Sequence, residues 1–321
     1  MRMSAVIDPA PLPDTPSPAA NGLDSASRAS ARALFAGLQG ALERMQGLVG
    51  TTAAFPWVDV AGLLERVHAS LEDSDDLFWL AHSPHLPEDA RYLAFHHARV
   101  TVLAMRIGAR LGYDVRRLLE LGLAATVIDI GLCPVRERVL RRAEPPSADE
   151  QALFQAHPLR SAEIVQQWSL PLPAVTEMVL QHHEREQGQG YPRGLSVEAI
   201  HPDALVLGLV DTYAQMTALP ATRPQFRPHE AMREMLKWRH GAFPPPLLKA
   251  LLSEITVFPP GSKVCLSTGE VGTVVKANRR HPLRPKVAVT ARARGFQPTV
   301  PRIIDLAEAP FIFISGSSEV S

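Results

Sequence analysis

Two adjacent imidazoles, His182 and His183, close a helical pattern and are followed by Glu184 and a turn built from Gly188, Gly190, Tyr191 and Pro192. Imidazole nitrogen suits ions such as Fe, Zn and Ni, so paired histidines beside a glycine-punctuated turn point to metal chemistry. Two carboxylates sharpen that expectation. Asp129 sits in Ala-Thr-Val-Ile-Asp-Ile-Gly-Leu and Asp211 in Leu-Gly-Leu-Val-Asp-Thr-Tyr-Ala. A lone carboxylate in an apolar helix costs several kcal/mol to bury unless it is paired or bound to metal. Taken singly, each Asp could pair with an Arg from another helix, His96 could be a hydrogen-bonded core residue, and His157, before Pro158, could cap a helix junction. Taken together, His96, Asp129, His157, His182, His183 and Asp211 offer N and O ligands from five helical segments, which is how helical metalloproteins assemble sites in a bundle core.

The elements that must position these groups are mostly helical. Residues 1–28 carry Pro9, Pro11, Pro13, Pro16 and Pro18 among small and polar residues and read as a disordered lead-in. Residues 29–86 form an N-terminal helical segment. Over 87–255 the apolar period is helical: His96, Val100, Leu103, Ile107 and Leu111 share one face, and Leu118, Leu121, Ala125, Ile128 and Leu132 share another. Ser147 with Glu150 reads as a capping box, and Pro173 as a helix start continued by Val175, Met178, Val179 and His182. Beyond Pro259-Pro260 the period changes, and residues 256–321 read as a small β extension with short strands at Lys263–Leu266, Gly272–Lys276, Lys286–Thr290, Arg302–Leu306 and Phe311–Ile314. The expected fold class is mainly α, a helical bundle with a small C-terminal β module.

Composition narrows the function. The 321 residues balance 33 basic against 33 acidic side chains, which argues against a nucleic-acid or anionic-membrane partner. Two distant cysteines, Cys133 and Cys265, suit a reducing compartment. Prolines precede any apolar leader, and the most apolar stretches are broken by Glu120, Asp129 and Asp211, so neither a signal peptide nor a membrane span is expected, and the reading is cytoplasmic.

In order, His96-His97-Ala98-Arg99-Val100, Ala124 to Val135, His157-Pro158, His182-His183-Glu184 with Gly188-x-Gly190-Tyr191-Pro192, and Asp211-Thr212-Tyr213 resemble the HD-GYP family. These are the HD-domain metal-dependent phosphohydrolases that typically cleave cyclic di-GMP. The resemblance covers roughly residues 87–255. It implies His96, Asp129, His157, His182, His183 and Asp211 as metal ligands and Asp129 as the catalytic carboxylate. It also implies His183, Tyr191, Arg223 and Arg227 as substrate-binding residues, a divalent cofactor such as Fe or Mn, cyclic di-GMP or a related nucleotide as partner, and a docking contact for another signalling protein at the Gly-Tyr-Pro turn.

The departures fall on the chemistry. Where the family has His-Asp this chain has Ile128-Asp129, where it has Lys three residues later this chain has Leu132, and where some members have Glu before the first His this chain has Tyr92. The first metal site thereby loses an imidazole, which leaves open one ion rather than two. Two functions are expected from this pattern. One is a degenerate HD-GYP protein acting as a binding or docking module with weak or no phosphodiesterase activity. The alternative is an active phosphodiesterase with an altered first site. Arg280 and Arg284 form an Arg-x-x-x-Arg that resembles part of a PilZ nucleotide motif, without its companion sequence.

Overall fold

The computed structural model describes residues 22–82, 91–135, 147–169, 172–217, 228–237, 242–255, 260–278, 283–291 and 302–317, with residues 140, 226, 258 and 281. Helices α1 (Gly22–Gln46), α2 (Trp57–Asp73), α3 (Asp76–His82), α4 (Tyr92–Arg110) and α5 (Val115–Thr126) are followed by a 3-10 turn at Ile130–Leu132. Then come α6 (Ala148–Gln167), α7 (Pro173–Gln181), α8 (Pro202–Thr217), α9 (Pro228–Lys237) and α10 (Pro245–Glu254). Among the described residues no helix is long and apolar enough to cross a membrane.

α4 is the axis of the bundle. It packs against α1, α3, α5, α8 and α10, and every residue from Leu93 to Gly108 is buried. The single stripe expected from His96, Val100, Leu103 and Ile107 is therefore too narrow a description, because a helix surrounded on all sides is apolar all round. Its polar residues are internal ties. Arg99 is wholly buried and donates to the carbonyls of Ala81 (2.7 Å) and Ala214 (2.9 Å) and to Thr217 Oγ1 (3.0 Å). The two carbonyls lie in the last turns of α3 and α8, so the guanidinium sits where both helix dipoles are negative. Arg106 reaches Glu254 Oε2 (2.7 Å), Leu71 O (3.1 Å) and Asp75 Oδ1 (2.9 Å), joining α4 to α10 and to the end of α2.

Three expectations need correction. α1 starts at Gly22, inside the stretch read as lead-in, and Ser27 Oγ bonds Asp76 Oδ2 (2.6 Å) at the start of α3, so tertiary contact extends the helix past the composition boundary. α5 ends at Thr126, and Asp129 lies in a turn rather than inside a helix, because Val127, Ile128 and Ile130 are β-branched and Gly131 follows. His157 marks no helix junction, since α6 runs through Pro158. The capping box of Ser147 and Glu150 and the Pro173 start are as expected.

The β module is one antiparallel sheet, in the order β4-β3-β2-β1-β5, of strands Lys263–Leu266, Val271–Lys276, Lys286–Ala291, Arg302–Asp305 and Ile314–Ser317, numbered β1 to β5 in chain order. Val264, Leu266, Val274, Val287, Val289, Ile304 and Leu306 give it a core of its own. The last strand begins later than Phe311. Arg284 donates to the carbonyls of Leu306, Ala309 and Pro310, holding that segment as turns until Ile314 pairs with Leu266. That structural task occupies the second arginine of the Arg-x-x-x-Arg. Arg280 lies outside the described residues.

Arg99→Ala strands three buried acceptors, each worth ~1–3 kcal/mol. The expected loss in a urea-unfolding measurement is at least about 3 kcal/mol.

Candidate metal centre

Six side chains from five segments converge beside α4. His96 comes from its second turn, Asp129 from the turn after α5, His157 from the middle of α6, His182 and His183 from the end of α7, and Asp211 from α8. All six are buried. One ligand atom each from Asp129, His157, His182 and His183 lies within 4.8 Å of the others, as does one each from His96, Asp129 and Asp211. Asp129 belongs to both groups.

The histidines are oriented by helix carbonyls that the helices cannot use. Pro158 has no N–H, so the carbonyl four residues back, Phe154 O, has no helical donor, and His157 Nδ1 bonds it instead. Val179 O is one of the free carbonyls of the last turn of α7 and receives His182 Nδ1 at 2.6 Å. Each Nδ1 proton is thus committed, and each Nε2 presents a lone pair to the centre. His157 Nε2 and His182 Nε2 lie 3.2 Å apart and 3.0 and 3.3 Å from Asp129 Oδ1. That oxygen is buried and takes no hydrogen bond of acceptable geometry. Three electron-rich atoms this close repel one another unless a cation joins them, so the residues present fit a divalent ion.

On the other side, His96 Nε2 lies 2.7 Å from Asp211 Oδ1 and 3.5 Å from Asp129 Oδ2. Gln215 Nε2 donates to both Asp211 oxygens at 3.0 Å and fixes that carboxylate. Ile128 is wholly buried in the main apolar core and provides no ligand. Leu132 joins a smaller apolar cluster with Leu93 and Leu140. His97 does not replace the lost imidazole. Burial pushes it down to about 3, leaving it neutral, and its Nε2 accepts the backbone N–H of Asp129 (3.3 Å).

The Gly-Tyr-Pro turn is clasped to the ligands. Glu184 is buried and its two oxygens accept the backbone N–H groups of Arg193 (2.7 Å) and Leu195 (3.0 Å). A Cβ on Gly190 would come within 2.4 Å of Glu184 Cα, so only glycine lets the turn close. The turn returns Tyr191 to stack on His183, centroids 4.6 Å apart, with a cis peptide to Pro192. Gly131 plays the same part for Asp129, since a Cβ there would meet His157 O at 2.6 Å. Of the expected substrate residues, His183 and Tyr191 face the centre, while Arg223 and Arg227 lie outside the described residues. Sequence reasoning missed the acceptor freed by Pro158, the Glu184 clasp and Gln215, although Gln215 stands one helical turn after Asp211.

In the metal-free cluster, protons take the place of a cation. Burial works against charge on His96, but Asp129 and Asp211 outweigh it and raise it to about 9. Burial likewise opposes charge on Asp129, and His157, His182 and His96 together hold its carboxyl well below the usual range. His183 is driven well below its ordinary value by burial and then by its imidazole neighbours, so it stays neutral.

A family model described as HD domain matches residues 82–243, half of the chain, and one described as KOW domain associated with HD domain matches residues 263–320. A cyclic di-GMP phosphodiesterase of Pseudomonas aeruginosa is 28% identical over 307 residues, covering 95% of this chain and 73% of that protein. A 3'3'-cGAMP-specific phosphodiesterase of Vibrio cholerae is 29% identical over 140 residues, 44% of this chain and 32% of its own length. The chain thus spans about a third of the second relative. An HDG"Y"P protein from Bdellovibrio bacteriovorus superposes with a TM-score of 0.57 at 18% identity, over 70% of this chain and 71% of that one, a likeness of fold.

Two outcomes follow from the geometry. Pro158→Ala restores an N–H that competes for Phe154 O, so thermal unfolding should show a more stable helix while titration shows metal affinity reduced about tenfold. The raised His96 charge stabilises the metal-free fold fully below pH 6.5, and that contribution is lost as pH rises through about 9. Metal-stripped protein should therefore lose stability between those values, and added Mn should remove most of the loss.

Proposed function

This chain belongs to the HD-domain family, and on that premise we propose that it is a divalent-metal phosphodiesterase of cyclic di-GMP signalling, working slowly because its first metal site is one imidazole short. The substrate in this reading is cyclic di-GMP or a related cyclic dinucleotide. The observation that carries it is the convergence of two Nε2 lone pairs on the hydrogen-bond-free Asp129 Oδ1, at 3.0 and 3.3 Å. Such an arrangement needs positive charge among the three atoms, and HD-domain phosphohydrolases use divalent metals.

In this reading Asp129, His157 and His182 hold one ion, with His183 beside it, and Asp129, His96 and Asp211 hold a second more weakly. A bound ion supplies a Lewis acid that polarises a phosphoryl oxygen and acidifies water at neutral pH. Asp129 gives one oxygen to each group and so sets their spacing. Tyr191 and neutral His183 form a stacked wall that a substrate base or ribose can rest on. The missing pieces are electrostatic: Ile128 adds no ligand, and Leu132 places an alkyl group where the family resemblance has a cation. Each such loss typically costs ~10²–10³ in rate.

A second reading, a binding or docking module without turnover, is favoured by one observation. Ile128 is wholly buried and brings no ligand, whereas Pro192, Arg193 and Gly194 of the turn are exposed. Metal analysis of the purified chain beside a cyclic di-GMP hydrolysis assay with Mn or Fe separates the two. The expected result is bound metal and slow product formation, reduced at least ~100-fold by His182→Ala and increased by Ile128→His with Leu132→Lys. Metal and nucleotide bound with no product would select the docking module, and a chain binding neither would overturn both readings.

A further inference from the structure

A small cavity of about 110 Å³ lies where α1, the start of α4 and the turn after Asp129 meet. Gln46, Gly47, Arg91, Leu93, Leu132 and Cys133 are among the residues that line it. It is separate from the six candidate ligands, though Tyr92, at the start of the same helix, stacks on His96 with centroids 5.8 Å apart.

Three features give this cavity one chemical preference. Arg91 occupies the N-cap of the 19-residue α4, where Ser or Asp would ordinarily accept from the first turn. A guanidinium accepts nothing, so the N-cap side chain takes none of the first-turn N–H groups and adds a full positive charge beside them. Gln46 is 7% exposed, and its buried Nε2 takes no hydrogen-bond partner. An unpartnered buried amide donor is costly, and an acceptor in the cavity would satisfy it. The Cys133 thiol in the wall is pushed up to about 12, chiefly by burial, and so brings no negative charge.

We propose that this cavity is an anion site that takes one phosphoryl group, held by the Arg91 guanidinium, the Gln46 amide and the first-turn N–H groups of α4. Its volume suits a small tetrahedral anion and is well below that of a site for a whole nucleotide. Leu132, which stands three residues after Asp129 where related sequences have a cation, lines it, so the cavity adjoins the turn that follows Asp129. The assignment holds whether or not the centre cuts its ligand. The shared chemistry is that of inorganic phosphate and of the terminal phosphate of a linear dinucleotide.

The test is calorimetric titration of the metal-stripped full chain, so that phosphate has no metal to bind. Inorganic phosphate is compared with a linear dinucleotide bearing a 5′-phosphate and with the same dinucleotide lacking it. Saturable phosphate binding is expected, weakened about tenfold or more by Arg91→Ala and by Gln46→Met, and largely kept by Arg91→Lys. Arg91 is exposed, so its variants keep the test valid should Gln46→Met fail to fold. A 5′-phosphorylated dinucleotide that binds more tightly than phosphate, and loses that advantage with Arg91→Ala, identifies the nucleotide as the source. Equal affinities identify free phosphate. Absence of phosphate binding to the metal-stripped chain, or binding that Arg91→Ala leaves unchanged, overturns the site.

Discussion

Asp129 carries its charge to the centre of a helical bundle, where water cannot solvate it, and the surrounding elements are arranged around that cost. Its backbone N–H is taken by His97, its turn is pressed against α6 through Gly131, and its two oxygens are shared between His96 on one side and His157 and His182 on the other. A buried carboxylate at this depth is tolerable only when positive charge is close. Protons supply it in the metal-free chain, and a divalent ion would supply it better because the imidazole lone pairs already face the same point. α4 packs on α5 and α8 on one side of the aspartate, and α7 joins α6 to α8 on the other.

Ordinary helix termini do most of the orienting. An interior proline in α6 and the end of α7 each leave a carbonyl without a helical donor, and a ligand imidazole takes each one. The defect that weakens the helix is thus the feature that fixes the ring. Elsewhere Arg99 uses the same resource, carbonyls at the ends of α3 and α8, to lock the bundle a turn away from His96.

Much of this was legible beforehand, for identifiable reasons. Asp129 and Asp211 stood out because charge in an apolar run is expensive, and the ordered histidines followed from residue type. The helical body, the change of period near Pro259 and four of the five strands were readable from spacing. What was not readable depended on long-range contact. The α1 start at Gly22 is set by Ser27 meeting Asp76, 49 residues away. The final strand was displaced by Arg284, whose bonds to Leu306, Ala309 and Pro310 no local pattern encodes. Apolar periodicity continues through Val127 and Ile128 and suggests a helix at Asp129, although the backbone turns there. Pro158 suggests a junction at His157, while the helix passes through it.

The clasp at Glu184 has a mechanical consequence. Its carboxylate grips the far side of the turn while its backbone continues directly from His182 and His183, so rim and ligands are links of a single short chain. The link between them is one residue long. A displacement of Arg193 or Leu195 acts on the Glu184 carboxylate, whose backbone adjoins His183 directly. The rim therefore serves as a gauge of the interior as well as its border.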